Sequence, residues 1–196
     1  MKFRYVTTLG LGLGMAIALS GCGLNSIPTA DEEVKARWAD VQNDYQRRAD
    51  LIPNLVATVK AAGLQEKSIL VEVTQARASA SQVKISTADL ADPAKVAAYE
   101  RAQNNISLSL QKLQEAYPQL QSQENYKTLM SQLEGTENRI TIARRDYNAS
   151  VQKYNTTIRT FPTAITASIV YGAKPKVPFA ATTPGAEAAP KVDFGS

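Results

Sequence analysis

The stretch RITIARRDYNASVQKYN, residues 139–155, decides the fold because it belongs to a long helical repeat of apolar residues. Apolar side chains recur every three or four residues within and beyond it, as in a helix with one narrow buried face. The members of this stripe are Tyr126, Met130, Leu133, Ile140, Tyr147, Val151, Tyr154, Ile158 and Phe161. Glu137 and Arg144 interrupt it. The pattern predicts a helix from a Ser122 cap to about Thr160 that contacts other helices.

A similar stripe precedes it, beginning after a capping box formed by Thr29 and Glu32. It contains Val34, Trp38, Val41, Tyr45, Arg48, Ile52, Leu55 and Val59, and it keeps its phase beyond Gly63 through Glu66 to Val83. Pro53 lies inside it and removes the hydrogen bond to the Ala49 carbonyl, which predicts a kink. We expect one bent helix over residues 31–83, and a reversal near Gly63 is the alternative.

A third helix is predicted from Asp92, a helix cap that is followed by proline, to Pro118. Its stripe consists of Val96, Tyr99, Gln103, Ile106, Leu110, Leu113 and Tyr117. Residues 84–92 lack the period and are predicted to form a loop, and residues 163–171 are predicted to form a short helix before Gly172. With no strand pattern, the sequence predicts an all-α, antiparallel bundle of three long helices and a short one.

The N-terminus has the pattern of a bacterial lipoprotein signal. Lys2 and Arg4 precede a short apolar segment, residues 6–19, which is shorter than the roughly 20 residues of a spanning helix. Leu19-Ser20-Gly21-Cys22 resembles a lipobox, which implies cleavage before Cys22 and lipidation of its thiol. An uncleaved signal anchor is the alternative. Gly23 in place of aspartate favours the outer membrane if the host has two membranes.

These patterns divide the chain into four parts. Residues 1–21 are the signal peptide, and residues 22–28 are the lipidated cysteine and a tether that spans at most about 20 Å. Residues 29–172 are the helical bundle. Residues 173–196 are rich in proline and alanine, and we expect a disordered tail because such a composition buries little apolar surface.

Composition limits the chemistry. The chain has no histidine and one cysteine, so histidine catalysis, histidine metal sites and internal disulfides are excluded. Loss of Lys2 and Arg4 with the signal peptide lowers the formal charge from +4 to +2, too little to indicate nucleic-acid binding. We predict no cofactor and no metal.

Several segments together resemble the LemA family. They are RRADLIPNLV at residues 47–56, AYPQL at 116–120, LEGTENRI at 133–140, ARRDYN at 143–148, and the pairs at 154–155 and 161–162. The resemblance covers most of residues 31–170. It implies a bacterial, membrane-attached, antiparallel helical bundle that faces outward from the cytoplasm, and it supplies no reaction.

The first group of candidate site residues lies in the helical stripes and comprises Arg48, Glu66, Gln103, Glu137 and Arg144. A charge that points into a bundle must find a partner. We expect a network in which Glu137 faces Arg48 and Arg144 and fixes the register of the helices. A ligand or proton site inside the bundle is the alternative.

The second group comprises polar residues in or near these family-like segments, Asp50, Asn54, Asn148 and Asn155. Asparagine is a poor helix former, so its presence in a helix suggests a hydrogen-bonding task. Asn54 is a candidate for the backbone freed by Pro53. Asn148 and Asn155 lie seven residues apart, on one helix face, and are candidates for contact with another helix, although hydrogen bonding that only supports packing is the favoured interpretation.

The sequence favours a non-enzymatic, membrane-anchored envelope lipoprotein that acts as a helical scaffold or binds a protein partner. One alternative is the binding of lipid or another apolar ligand between helices. Another is a cell-wall hydrolase that uses carboxylates such as Glu66 and Glu137. No nucleophile–base pair accompanies them, which argues against the hydrolase.

Overall fold

Two long antiparallel helices form the centre of the molecule in a computed structural model that describes residues 25–63 and 67–180. They are α1 (Ser26–Ala61) and α4 (Glu124–Thr157). The other helices are α2 (Lys67–Gln82), α3 (Pro93–Ala116) and α5 (Thr163–Ile169). The described ranges contain no strand, and the predicted all-α bundle is confirmed. Cys22, Glu66 and residues 181–196 lie outside the described residues.

Two ion pairs fix how α1 and α4 lie against each other. Glu33 near the start of α1 binds Lys153 near the end of α4 at 2.7 Å. Arg48, further along α1, binds Glu137, earlier in α4, at 2.9 Å. The start of α1 therefore lies at the same end of the bundle as the end of α4.

The chain reverses at Gly63, so the expectation of one bent helix over residues 31–83 is wrong. Helix α1 ends at Ala61, and Gly63 has a φ of +78°, a left-handed conformation that favours glycine at a helix end. Helix α2 then returns along α1, where Arg77 Nε lies 2.8 Å from the Ala49 carbonyl oxygen. The stripe spaced by three and four residues keeps its phase from α1 into α2, which is why periodicity alone missed the reversal.

The structure corrects two predicted helix starts. Helix α1 begins at Ser26, and the Thr29 hydroxyl donates to the Asn25 carbonyl at 2.7 Å instead of capping a helix, so the tether's last residues are helical. Ser122 belongs to a 3₁₀ turn, Pro118–Ser122, and α4 starts after Gln123. The Asp92 cap is confirmed, since its carboxylate accepts the Ala94 N–H at 2.9 Å.

Residues 173–180 form an extended segment that packs on the bundle, and we call it the strap. Phe179 is only 5% exposed, and the Val177 N–H donates to the Leu90 carbonyl at 2.8 Å. Leu90 is the buried residue of a 3₁₀ turn, Thr87–Ala91, within the predicted loop. The expectation of a disordered tail from residue 173 is therefore wrong for the strap. The composition of the segment does not show that one aromatic side chain, Phe179, packs into the apolar core and holds the segment in place.

The core consists of two apolar clusters along the bundle. The first surrounds Trp38 and includes Val34, Val41, Tyr45, Leu90, Tyr99, Ile140, Tyr147, Tyr154, Ala167 and Phe179. The second includes Ile52, Leu55, Val59, Leu70, Val73, Ile106, Leu113, Leu120, Tyr126 and Leu133. On α1 the two clusters meet between Tyr45 and Ile52, where Arg48 lies.

Helix α1 continues through Pro53 because a neighbouring side chain replaces the missing hydrogen bond. A residue at position 53 would normally donate its N–H to the Ala49 carbonyl, and proline has none. Arg77 on α2 donates to that carbonyl instead. Asn54, the predicted partner for this backbone, is exposed, and the bond to the Ala49 carbonyl comes from Arg77.

This replacement predicts that the effect of Arg77→Ala depends on Pro53. In the natural chain the substitution should lower the free energy of unfolding by about 1–3 kcal/mol, because it leaves the Ala49 carbonyl without a partner. In a Pro53→Ala background the loss should be smaller, since the backbone at position 53 then has an N–H that can donate to the same carbonyl. Urea unfolding of the four variants measures the difference. Equal losses in both backgrounds would show that the two residues are independent.

Candidate functional site: a buried arginine layer and a strap-binding face

Arg48 stands at the centre of a polar layer that joins three helices. Its side chain is 1% exposed, and Nη2 donates to both the backbone carbonyl and Oε1 of Gln103, each at 2.9 Å. Nη1 donates to Glu137 Oε2 at 2.9 Å and to the Ser107 hydroxyl at 2.7 Å. Arg48, Gln103 and Glu137 were predicted to meet, and they do. Ser107 completes the layer.

Arg144 binds a different carboxylate from the one that the sequence suggested. It forms an ion pair with Glu100 on α3, and each of these side chains is only 11% exposed. Glu137 is 49% exposed and pairs with Arg48 alone. The prediction that Glu137 bridges both arginines is therefore wrong. Glu100 was missed because the stripe of α3 was taken one residue wide, although Glu100 lies four residues after the buried Val96.

The second arginine also reaches the strap. Arg144 Nη2 donates to the Ala180 carbonyl at 2.9 Å, and its guanidinium lies 4.6 Å from the centre of the Phe179 ring. An arginine over an aromatic face is attracted by the ring's negative surface. Glu100 thus holds Arg144 in place, and Arg144 in turn binds the end of the strap.

An aromatic cluster fills the space beside the two arginines. The Trp38 ring lies 5.4 Å from Tyr99, 5.5 Å from Tyr147 and 5.8 Å from Phe179 between centroids. Burial raises the pKa of Tyr45, and the nearby Arg144 and Arg48 guanidiniums only partly offset that rise. The hydroxyl of Tyr45 therefore stays protonated at neutral pH. The strap supplies Phe179 to this cluster, so it is part of the core.

Asn148 and Asn155 each bind the main chain of one strap residue through both ends of the side-chain amide. Asn148 Nδ2 donates to the Phe179 carbonyl at 3.0 Å, and its Oδ1 accepts the Phe179 N–H at 2.8 Å. Asn155 makes the same two bonds with Lys176, both at 2.8 Å. The prediction that these asparagines contact another helix is wrong, because their partner is an extended segment.

The spacing of the asparagines matches the spacing of the strap residues. Seven helical residues rise about 10.5 Å, and three extended residues rise about 9–10 Å. Pro175 and Pro178 each precede a bound residue and favour an extended conformation. Because Lys176 pairs near the end of α4 and Phe179 earlier, the strap runs antiparallel to α4.

Two further contacts position the strap. The Tyr147 hydroxyl donates to the Val177 carbonyl at 3.0 Å. The ammonium of Lys176 lies 2.5 Å from the carboxylate of Asp31 on α1 and 5.1 Å from the centre of the Tyr154 ring. Partial burial raises the pKa of Asp31, but Lys176 and Lys35 lower it more, so the carboxylate is ionised at neutral pH. The strap is thus bound by α1 as well as α4.

The remaining candidate residues do not join this site. Asp50 is exposed and accepts a hydrogen bond from Gln46 at 2.7 Å, and Asn54 is exposed as well. Glu66 and Cys22 lie outside the described residues. Within residues 25–63 and 67–180, no helix is long and apolar enough to cross a membrane. The same residues contain no group of cysteine, aspartate and glutamate side chains that could hold a metal ion.

The two ion pairs predict different effects for the same substitution. Glu100→Gln should lower the free energy of unfolding by about 3 kcal/mol, because it leaves the buried Arg144 without a counter-charge. Glu137→Gln is the matched comparison and should cost less, about 1–2 kcal/mol, because the half-exposed carboxylate is easily replaced and the buried Arg48 keeps its hydrogen bonds to Gln103 and Ser107. Urea unfolding of both variants checks this order. A larger loss for Glu137→Gln would contradict it.

One comparison with known proteins finds a match to a family model. No curated protein matches the chain. The family model described as "LemA family" matches residues 37–194, which is most of the chain. This match contains the arginine layer, both asparagines and the whole strap, so the strap lies inside the region that the family model describes. The chain belongs to the LemA family.

Proposed function

We propose that this LemA-family chain is a lipid-anchored protein of the cell envelope whose bundle acts as a non-catalytic scaffold and partner-binding module. The lipobox supports the anchor, because Cys22 follows Leu19-Ser20-Gly21 and precedes the start of α1 by only four residues. Several acyl chains on one cysteine give stable attachment, which a single chain does not. The bundle then lies close to the membrane surface, and Gly23 favours the outer membrane in a host with two membranes.

One observation carries the binding role: Asn148 and Asn155 hold an extended segment through its main chain. A side-chain amide that pairs with a backbone N–H and C=O is indifferent to the bound residue's side chain. Recognition of extended peptides by main-chain hydrogen bonds, with a pocket for one side chain, is a common mode of protein–protein interaction. Here the pocket is the aromatic site of Phe179. The face of α4 is therefore suited to an extended segment of a partner protein in place of the strap.

A surface groove supports a second candidate function, the binding of an apolar ligand. It lies between α1 and α2, has a volume of about 780 Å³ and is open to solvent. Its walls are mainly apolar and consist of Val56, Lys60, Leu70, Val71, Thr74, Gln75 and Ala78. Because the groove is open along one side, a ligand would bind between helices at the surface.

The hydrolase alternative gains no support from the geometry. Glu137 is bound by Arg48 and Ser107, and Glu66 lies outside the described residues. Within residues 25–63 and 67–180, Glu137 pairs with a cation and not with a second carboxylate, and the hydrolase alternative stays a prediction.

The anchor is tested by Cys22→Ala in the full chain. The natural chain should be in the membrane fraction with its signal removed and acyl chains on Cys22, whereas Cys22→Ala should keep its signal peptide and carry no acyl chain. Ser20→Ala is the control, because a small residue is retained before the cleavage point. Membrane fractionation and intact-protein mass spectrometry measure the outcome. A free Cys22 thiol in the natural chain would contradict the proposal.

The partner-binding face is tested with a labelled peptide of residues 173–180. A full chain with Phe179→Ala should release its own strap and bind the added peptide, because the aromatic pocket and both asparagines remain intact. The natural chain should bind it at least about tenfold more weakly, since its own strap competes at high effective concentration. Fluorescence anisotropy measures the binding.

The control for this experiment adds Asn148→Ala to Phe179→Ala. Peptide binding should then be lost. Asn125→Ala, added to Phe179→Ala in the same way, changes an exposed asparagine near the start of α4 and should leave peptide binding unchanged. Equal binding to all variants would show that the peptide attaches elsewhere and would contradict a binding role for this face.

A further inference from the structure

One end of the bundle carries a concentration of exposed apolar side chains. Phe161 is 82% exposed, Ile165 56%, Ile169 80% and Val170 61%. We call these four residues the end patch. The other large exposed aliphatic residues in the described part of the chain are Val71, Leu108 and Ile142, and each lies on a different helix.

The end patch lies on α5 and on the residues that flank it, and α5 has apolar side chains on two sides. Ala167 is buried and belongs to the first core cluster, so it attaches α5 to the bundle. Ile165 and Ile169 lie four residues apart, on one face of the helix, and point away from that attachment. A short helix at a protein surface ordinarily presents polar residues to water. The outward face of α5 is therefore suited to a second apolar environment.

The position of α5 identifies that environment. Helix α4 ends where α1 begins, because Glu33 pairs with Lys153 and the helices are antiparallel. Helix α5 follows the end of α4 and contacts α1. The described chain starts at Asn25 at this same end, and Cys22 lies three residues earlier, within about 10 Å of extended chain. The end patch and the proposed lipid anchor thus share one end of the bundle.

The charges around the end patch fit an anionic lipid surface. Arg159 and Lys174 are exposed on either side of it in the sequence, and neither forms an ion pair within the described residues. The acidic residues near the start of α1 include Asp31, which pairs with Lys176, and Glu33, which pairs with Lys153. Basic side chains beside an apolar face are typical of helices that lie in the membrane interface.

We propose that the end patch inserts into the lipid surface and forms a second membrane contact beside Cys22. This inference rests on the proposed lipid anchor, which brings the end patch within reach of the bilayer. The anchor supplies the attachment, and the end patch, inserted about 5–10 Å deep, sets the orientation of the bundle. Helices α1 and α4 then rise from the membrane, with the strap-binding face accessible from the side.

The test uses the full lipoprotein in vesicles of phosphatidylethanolamine and phosphatidylglycerol. An environment-sensitive thiol dye is attached at Ile169→Cys, at Phe161→Cys or, as the control, at Ile142→Cys. Ile142 is also exposed, but it lies about 24 Å along α4 from Ile158. Brominated lipids quench a dye in the bilayer, and iodide quenches a dye in water. We expect lipid quenching at positions 169 and 161 only, with iodide quenching there about threefold or more below that at 142.

The outcomes separate this inference from the anchor on which it rests. The natural chain has Cys22 as its one thiol, so it takes up no dye if Cys22 is lipidated. Dye on the natural chain would overturn the anchor and, with it, the inference. With the anchor intact, equal iodide quenching at positions 169 and 142 would overturn membrane insertion alone. Protection from iodide without lipid quenching would also overturn it and would show that protein, such as a second copy, covers the end patch.

Discussion

The rest of the structure depends on the need to satisfy one buried guanidinium. Arg48 is almost fully enclosed, and a buried charge is tolerated only when hydrogen bonds and a counter-charge surround it. Gln103 and Ser107 on α3 and Glu137 on α4 bind its two terminal nitrogens at a single level of the bundle. Sliding any of the three helices by one turn would separate these groups. The two apolar clusters on either side of Arg48 also stabilise the bundle. Apolar contacts alone, however, would permit such sliding more readily than the hydrogen bonds of Arg48 do.

This register makes the strap-binding face possible. Once α1 and α4 are aligned, Asp31 and Asn155 lie where both reach Lys176, and Trp38 lies where it meets Phe179. The strap then covers the first apolar cluster, a role that another helix usually has in a helical bundle. An extended segment covers the cluster with few residues. The main-chain hydrogen bonds of a helix are internal, whereas those of the extended segment are made by asparagine side chains. Asn148 and Asn155 of α4 thus form hydrogen bonds with the strap, a segment outside the helix.

Features that depend on the local spacing of residues, such as the long helices, could be predicted from the sequence. Features that depend on which segments contact each other in the fold could not. The stripes through Trp38, Tyr99 and Tyr147 located three long helices, and Asp92-Pro93 located a helix start. The reversal at Gly63 was invisible because the stripe keeps its phase through it. The stripe of α3 omitted Glu100, which lies beside it, and the pairing of Glu100 with Arg144 joins residues 44 positions apart in the sequence. The ordering of Phe179 depends on Trp38 of α1 and on Arg144, Tyr147 and Asn148 of α4, and the composition of the strap alone does not reveal these contacts.

The paired amides of Asn148 and Asn155 also bear on how this chain can vary over evolution. Substitutions within the strap leave the main chain unchanged, so its exposed positions can drift, whereas Phe179 needs an apolar side chain and Lys176 a cation for Asp31. Insertions and deletions are different. One added residue between Lys176 and Phe179 would displace one bound residue by about 3 Å, and only one of the two amides could then keep its pair of hydrogen bonds. The interval between these residues is therefore fixed in length, whereas the exposed turn around Gly172 can absorb a change.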